Sequence, residues 1–209
     1  HHWKVCAEGT DRLAEFYRRS DDHSGPISCF IKIRMKNLVI IPAYNEEQAL
    51  PKTISDLQQL PDEYEIVIIN DGSRDKTATV ARQLAATSRV TTRVIDLPLN
   101  SGIGVAMQTG FLCAAKNGEY RYAIQFDADG QHDAAYIQKL VAECESKNLD
   151  LCVGSRFLVA QQGDFQSTFA RRLGIRFFSR LITMLSGMRV TDPTSGFRCA
   201  DIVPPLRQP

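Results

Sequence analysis

From Asn37 onward, short apolar runs alternate with longer stretches of helical periodicity. Leu38-Val39-Ile40-Ile41, Tyr64-Glu65-Ile66-Val67-Ile68-Ile69, Thr92-Arg93-Val94-Ile95-Asp96-Leu97, Tyr122-Ala123-Ile124-Gln125-Phe126 and Leu149-Asp150-Leu151-Cys152-Val153 read as five strands, the first stopping at Pro42. Between them, helices are expected over 46–60, 76–86, 102–116 and 134–147. Strands alternating with helices predict an α/β fold, a doubly wound, mostly parallel sheet with helices on both faces. Residues 1–34 lack this rhythm, and Ser20-Asp21-Asp22-His23-Ser24-Gly25-Pro26 is turn chemistry. The expected division is therefore an extension of unassigned role over 1–34 and one folded domain over 35–209. Past Arg198, Pro204 and Pro205 cannot continue a helix.

Composition narrows the classes. A chain of 209 residues buries one substantial core, and a formal net charge of +1 gives no global case for nucleic acid. The six cysteines are scattered without a Cys-x-x-Cys pair. Cys113, Cys144 and Cys152 sit in apolar or helical patterns, so buried free thiols and a reducing, cytoplasmic compartment are expected. No apolar run reaches the roughly 18 residues that span a bilayer. A soluble body or a peripheral membrane protein is expected, and nothing in the sequence indicates an oligomeric state.

In an open α/β sheet, ligands bind beyond the carboxyl ends of the strands. The polar clusters Tyr44-Asn45-Glu46, Asp71-Gly72-Ser73, Asn100-Ser101-Gly102 and Asp127-Ala128-Asp129 all fall there. Two carboxylates at i and i+2 of a strand end project to one side and repel unless a cation joins them. Hard oxygens suit Mg2+ or Mn2+, and Gln131 offers a third donor. An Asp-x-Asp in isolation is more often a solvated turn; the convergence of four strand ends on one rim favours the metal. Tyr44 can stack on a base, Glu46 and Asp71 can accept its N–H groups, and Ser73 can cap the next helix. Free N–H groups of Asn100-Ser101-Gly102-Ile103-Gly104 would face phosphate or ribose. No dinucleotide fingerprint and no Walker lysine is present.

Ile41-Pro42-Ala43-Tyr44-Asn45-Glu46-Glu47, Asn70-Asp71-Gly72-Ser73-Arg74-Asp75-Lys76-Thr77, Asn100-Ser101-Gly102-Ile103-Gly104, Asp127-Ala128-Asp129-Gly130-Gln131-His132, Gly154-Ser155-Arg156-Phe157 and Asp192-Pro193-Thr194-Ser195-Gly196-Phe197-Arg198 together resemble family 2 glycosyltransferases. Within these they are most similar to the dolichol-phosphate mannose synthase and polyprenyl-phosphate glycosyltransferase branch. The resemblance implies a GT-A fold and an inverting transfer from a UDP- or GDP-sugar to a polyprenyl or dolichyl phosphate. It assigns the nucleotide to Pro42, Ala43, Tyr44, Glu46, Asp71, Gly102, Asp127 and Ala128. The Mg2+ or Mn2+ goes to Asp127, Asp129 and Gln131, and the acceptor phosphate to Arg156, Arg172, Ser195 and Arg198. Asp129, Arg156, Arg198 and Asp192 are the implied catalytic set. An ionised lipid phosphate needs cations rather than a general base. A saccharide hydroxyl, the alternative acceptor, would need a carboxylate, and Asp192 is the candidate. A third possibility is a non-catalytic sugar-nucleotide-binding domain. Relatives usually continue into a further helix past Arg198, so a shortened C-terminal end is expected here.

Phe169, Leu173, Phe177, Leu181 and Leu185 recur at helical spacing beside Arg172, Arg176 and Arg180. A basic amphipathic helix of this kind would either lie on the cytosolic face of an anionic membrane or pack on a core with its arginines in water. The branch places a phosphate-contacting arginine here, matching Arg171 or Arg172.

Overall fold

The computed structural model describes residues 4–7, 35–129, 133–155 and 196–203. In chain order the elements are β1 (Lys4–Ala7), β2 (Lys36–Ala43), α1 (Leu50–Leu57), β3 (Tyr64–Asn70), α2 (Thr77–Thr87), β4 (Thr92–Asp96), α3 (Ile103–Asn117), β5 (Tyr120–Gln125), α4 (Ala135–Lys147), β6 (Leu151–Ser155) and β7 (Arg198–Asp201). They build one seven-stranded sheet in the order β1-β6-β7-β5-β2-β3-β4. β2 through β6 run the same way, as expected. β1 and β7 oppose them, pairing antiparallel with β6 and with β5 and β6 respectively.

Two strands lie beyond the five read from the sequence. β7 is inserted between β5 and β6, with Gln125 opposite Arg198 and Cys152 opposite Cys199. Part of the N-terminal stretch also joins the sheet, through Lys4–Ala7 against Cys152–Ser155.

Strands β2 and β3 are apolar on both faces because helices cover both. Val39, Ile41, Ile66, Ile68, Ile124 and Phe126 pack with α1, α2 and α4, including Leu50, Ile54, Leu57, Ala81, Ile137 and Leu140. Leu38, Ile40, Val67 and Ile69 meet α3 through Ala106, Met107 and Ala114. Each large aliphatic side chain removed from water contributes about 1.5–3 kcal/mol, so this double layer dominates the stability of the sheet centre. Cys144 and Cys152 are buried free thiols as expected, joined by Cys199, whereas Cys113 is only half-buried.

The chain leaves β2 outward to β3 and β4, then returns through α3 to β5 on β2's other side. The carboxyl ends of β2 and β5 therefore flank the switch point where such sheets form a crevice. Pro42 helps to open it. The Ile40 carbonyl still accepts the Phe126 N–H at 3.0 Å. Pro42, two residues on and facing the same neighbour, has no N–H to extend that ladder.

Candidate functional site

The loops after β2 and β3 are tied together by backbone groups that would otherwise need water. Ser73 Oγ accepts the Asn45 N–H at 3.1 Å, and Asn45 Oδ1 accepts the Arg74 N–H at 2.9 Å. Thr77 Oγ1 accepts the Glu46 N–H at 2.8 Å, and Glu47 Oε2 accepts the Lys76 N–H at 2.8 Å. Asn45 takes the left-handed conformation (φ 55°), which asparagine tolerates better than most residues. These bonds explain why α1 begins at Leu50, with Pro51 in its first turn, rather than at Glu46. Ser73 is thereby committed to Asn45 and does not cap α2. The Asp75 carboxylate does that work, accepting the Thr77 N–H at 2.9 Å.

Asp71 has partners within the chain. It is 3% exposed, and its oxygens accept the Ser101 and Gly102 N–H groups, each at 2.8 Å. From the sequence those two amides are expected to face phosphate or ribose. Instead a carboxylate of the chain already fills the anion-attracting position ahead of α3. Gly72 makes the approach possible: at φ +61° a Cβ would stand 2.3 Å from the Leu99 carbonyl carbon.

Across the crevice, Ala128 is buried between a half-buried Asp127 and an exposed Asp129. Gln125, on the preceding strand position of the same face, donates its amide to Asp127 Oδ1 at 3.3 Å. Gly196 backs onto the same carboxylate; a Cβ there would lie 2.2 Å from Asp127 Oδ2. Phe197 fixes this approach by packing edge-on to Phe126, with ring centroids 5.9 Å apart, and by filling the space beside Gly154. Arg198 follows on β7 opposite Gln125, so the register sets it on the face of Gln125 and Asp127. Gln125, Gly196 and Thr53 (whose hydroxyl reaches the Ala128 carbonyl) were not singled out from the sequence. Gln125 did carry a signal: it is a polar residue inside a buried apolar strand.

The two sides meet electrostatically. Partial burial raises the Glu46 carboxyl above its usual range, and the charges of Asp129 and Asp75 raise it further. Tyr44 is 37% exposed, leaving its ring accessible at the crevice. Pro42 and Ala43 close β2 beneath it. Thus Pro42, Ala43, Tyr44, Glu46, Asp71, Gly102, Asp127, Ala128, Asp129 and Arg198 all lie at or near the carboxyl rim. Gln131, Arg156, Arg172, Asp192 and Ser195, and the basic segment 165–186, lie outside the described residues.

The donor set fits a divalent cation of a particular kind. Among the described residues no three His, Cys, Asp or Glu side chains converge to hold an ion unaided. Asp127 and Asp129 supply hard oxygens, and like charge accumulates around Asp129 and Glu46. This suits Mg2+ or Mn2+, which bind through one or two carboxylates and complete their shell with substrate phosphates and water.

The profile described as Glycosyl transferase family 2 matches residues 38–202, and the chain belongs to that family. Among its curated relatives, the polyprenol monophosphomannose synthase of Mycolicibacterium smegmatis is 28% identical over 169 residues, covering 80% of this chain and 62% of that protein. The UDP-N-acetylglucosamine–dolichyl-phosphate N-acetylglucosaminyltransferase of Methanococcus voltae is 31% identical over 173 residues, covering 77% of this chain and 67% of that protein. The chain spans only about half to two thirds of the length of several such relatives (62%, 51% and 62%). A solved glucosyl-3-phosphoglycerate synthase from Mycobacterium tuberculosis, in complex with Mn2+ and UDP-glucose, superimposes with a TM-score of 0.58 at 19% identity. It covers 82% of this chain and 57% of that one. The fold is GT-A. No helix among the described residues is long and apolar enough to cross a membrane.

Proposed function

We propose that this chain is the donor-binding and catalytic part of an inverting glycosyltransferase that moves a sugar from a UDP- or GDP-sugar to a polyprenyl or dolichyl phosphate. The observation that carries the reading is the meeting of Tyr44–Glu46 with Asp127–Asp129 across the β2/β5 switch point, in a chain of this family. The names of the relatives from Mycolicibacterium smegmatis and Methanococcus voltae support the lipid-phosphate acceptor. The Mn2+ and UDP-glucose held by the structural neighbour support a metal and a nucleotide donor.

Tyr44 stacks on the base, and Glu46 accepts hydrogen bonds from the base or ribose. Asp71 acts on the nucleoside side by holding the Leu99–Gly102 loop in place. Asp127 and Asp129 hold Mg2+ or Mn2+ together with the donor diphosphate. The cation, when bound, neutralises the negative charge that grows on the departing diphosphate. Arg198 faces the acceptor phosphate, where a guanidinium fork grips two oxygens and offsets the repulsion between two anions. Arg156, Arg172 and Ser195 extend that acceptor site in the same reading, at a peripheral membrane contact.

Calorimetry with UDP and with GDP, each with and without Mn2+, tests the donor half. Binding of one of them, strengthened by Mn2+, is expected. Transfer of label from a sugar nucleotide into butanol-extractable lipid tests the acceptor half; label found only in water-soluble saccharide would overturn it.

A further inference from the structure

A buried hydrogen bond joins α1 to the candidate diphosphate loop across 75 positions of sequence. Thr53, 1% exposed, has its hydroxyl 2.8 Å from the Ala128 carbonyl oxygen and 3.2 Å from the Ala49 carbonyl oxygen. A hydroxyl carries one hydrogen, so the shorter contact takes it. Ala49 does not depend on it, because its carbonyl already accepts the Thr53 N–H at 3.1 Å. Ala128 is different. Its residue is 3% exposed and sits past the end of β5, beyond the reach of the strand ladder. Among the described residues, Thr53 is the side chain that answers its carbonyl.

That carbonyl belongs to the peptide linking Ala128 to Asp129. A peptide unit is planar, so fixing its oxygen fixes the plane and the position of the Asp129 Cα, leaving the φ of Asp129 as the one backbone rotation between that plane and the Cβ. Packing does not explain the hydroxyl. Leu50, Ile54 and Leu57 fill the same buried face of α1, where a valine of nearly the same shape would serve. The geometry points to Thr53 as a positioning residue for the carboxylate pair, acting through the Ala128 carbonyl and touching neither donor nor reacting atoms. This rests on the metal-diphosphate reading of Asp127 and Asp129.

The test compares wild type with Thr53→Val, Thr53→Ser and Thr53→Cys. For each protein, calorimetry measures affinity for UDP or GDP with and without Mn2+, and for the corresponding nucleoside monophosphate. Thr53→Val is expected to weaken the Mn2+-dependent part of diphosphate binding about tenfold or more, the scale of losing a group that orients a metal ligand. Monophosphate affinity stays unchanged, and Thr53→Ser restores diphosphate binding. Should Thr53→Val fail to fold, Thr53→Cys decides, since its thiol has nearly the same size but is a weak donor; an intermediate loss is expected. Wild-type Mn2+ dependence in the valine variant, or in the cysteine variant that stands in for it, overturns the inference. So does a serine variant as weak as valine, which would make the effect one of packing. A wild-type protein whose UDP and GDP binding ignores Mn2+ overturns the metal-diphosphate reading and the inference with it.

Discussion

Two glutamates at opposite rims of the sheet show how differently one side chain can be used. Glu65, near the amino end of β3, is 7% exposed, yet it receives Lys36 Nζ at 2.6 Å, Arg93 at 3.3 Å and the Tyr120 hydroxyl. Burial pushes its carboxyl up, but the hydrogen bonds from Lys36 and Tyr120 and the charges of Lys36 and Arg93 outweigh that, and the net shift is downward. Glu46, at the carboxyl rim, is shifted upward by burial and then by the carboxylates of Asp129 and Asp75. At the amino rim the negative charge is answered inside the protein. At the carboxyl rim like charges are held close together, an arrangement that costs stability and suits a cation brought in with a ligand. The sheet is braced at one end and poised for binding at the other.

The change that breaks the comparison hardest is Asp129→Asn. Asp129 is exposed, so thermal stability should hardly move, whereas Mn2+-dependent turnover should fall about a hundredfold or more, the scale of losing an electrostatic contact to a developing charge. Donor diphosphate binding should weaken far more than nucleoside binding. Metal-stimulated activity surviving at the wild-type level would remove Asp129 from the site.

Gly196→Ala probes the wall behind Asp127. The added Cβ meets Asp127 Oδ2 at 2.2 Å, so the carboxylate or the start of β7 has to shift. Overpacking of this kind costs roughly 1–3 kcal/mol. A lower denaturant midpoint together with weaker Mn2+-dependent nucleotide binding is expected. A midpoint loss without a binding change would uncouple β7 from the site.

The contrast between the rims was only partly legible in the sequence. Five strands, their shared direction and the carboxyl-rim position of Asp127-Ala128-Asp129 follow from local pattern, because a buried strand leaves a continuous apolar run. β7 does not: Arg198-Cys199-Ala200-Asp201 is short and polar at both ends, and its place between β5 and β6 is decided by pairing across distant sequence. Asp71 was visible as a strand-end carboxylate, but its partners are amides about 30 positions later. Thr53 sits in an ordinary helical pattern that hides the role of its hydroxyl. Local periodicity describes the elements; the contacts that shape the site are non-local, and periodicity carries no record of them.

Glu65→Gln tests the braced end. Removing the charge from a buried, hydrogen-bonded acceptor should lower stability at neutral pH by roughly 1–3 kcal/mol. A carboxyl whose folded pKa lies below its unfolded value stabilises above that unfolded value and loses the contribution as pH falls through the folded one. The gap between wild type and variant should therefore be full at neutral pH and close as pH falls below the ordinary value of 4.5. Denaturant midpoints across pH read this directly. Nucleotide binding should not change, since the network lies at the far rim.

The smallest effect, and the sharpest contrast, belongs to the same substitution at the other end. Glu46→Gln removes a like charge from beside Asp129 and Asp75. At neutral pH and without divalent metal, stability read from the denaturant midpoint should rise slightly, by a few tenths of a kcal/mol, as befits a half-buried position at the solvent-facing rim. Nucleotide affinity should fall, because a carboxylate acceptor is replaced by an amide of which one end is a donor. One substitution thus stabilises at the carboxyl rim and destabilises at the amino rim. If both variants lose stability alike, the charge at Glu46 is compensated within the chain, and the division between a braced and a poised rim fails.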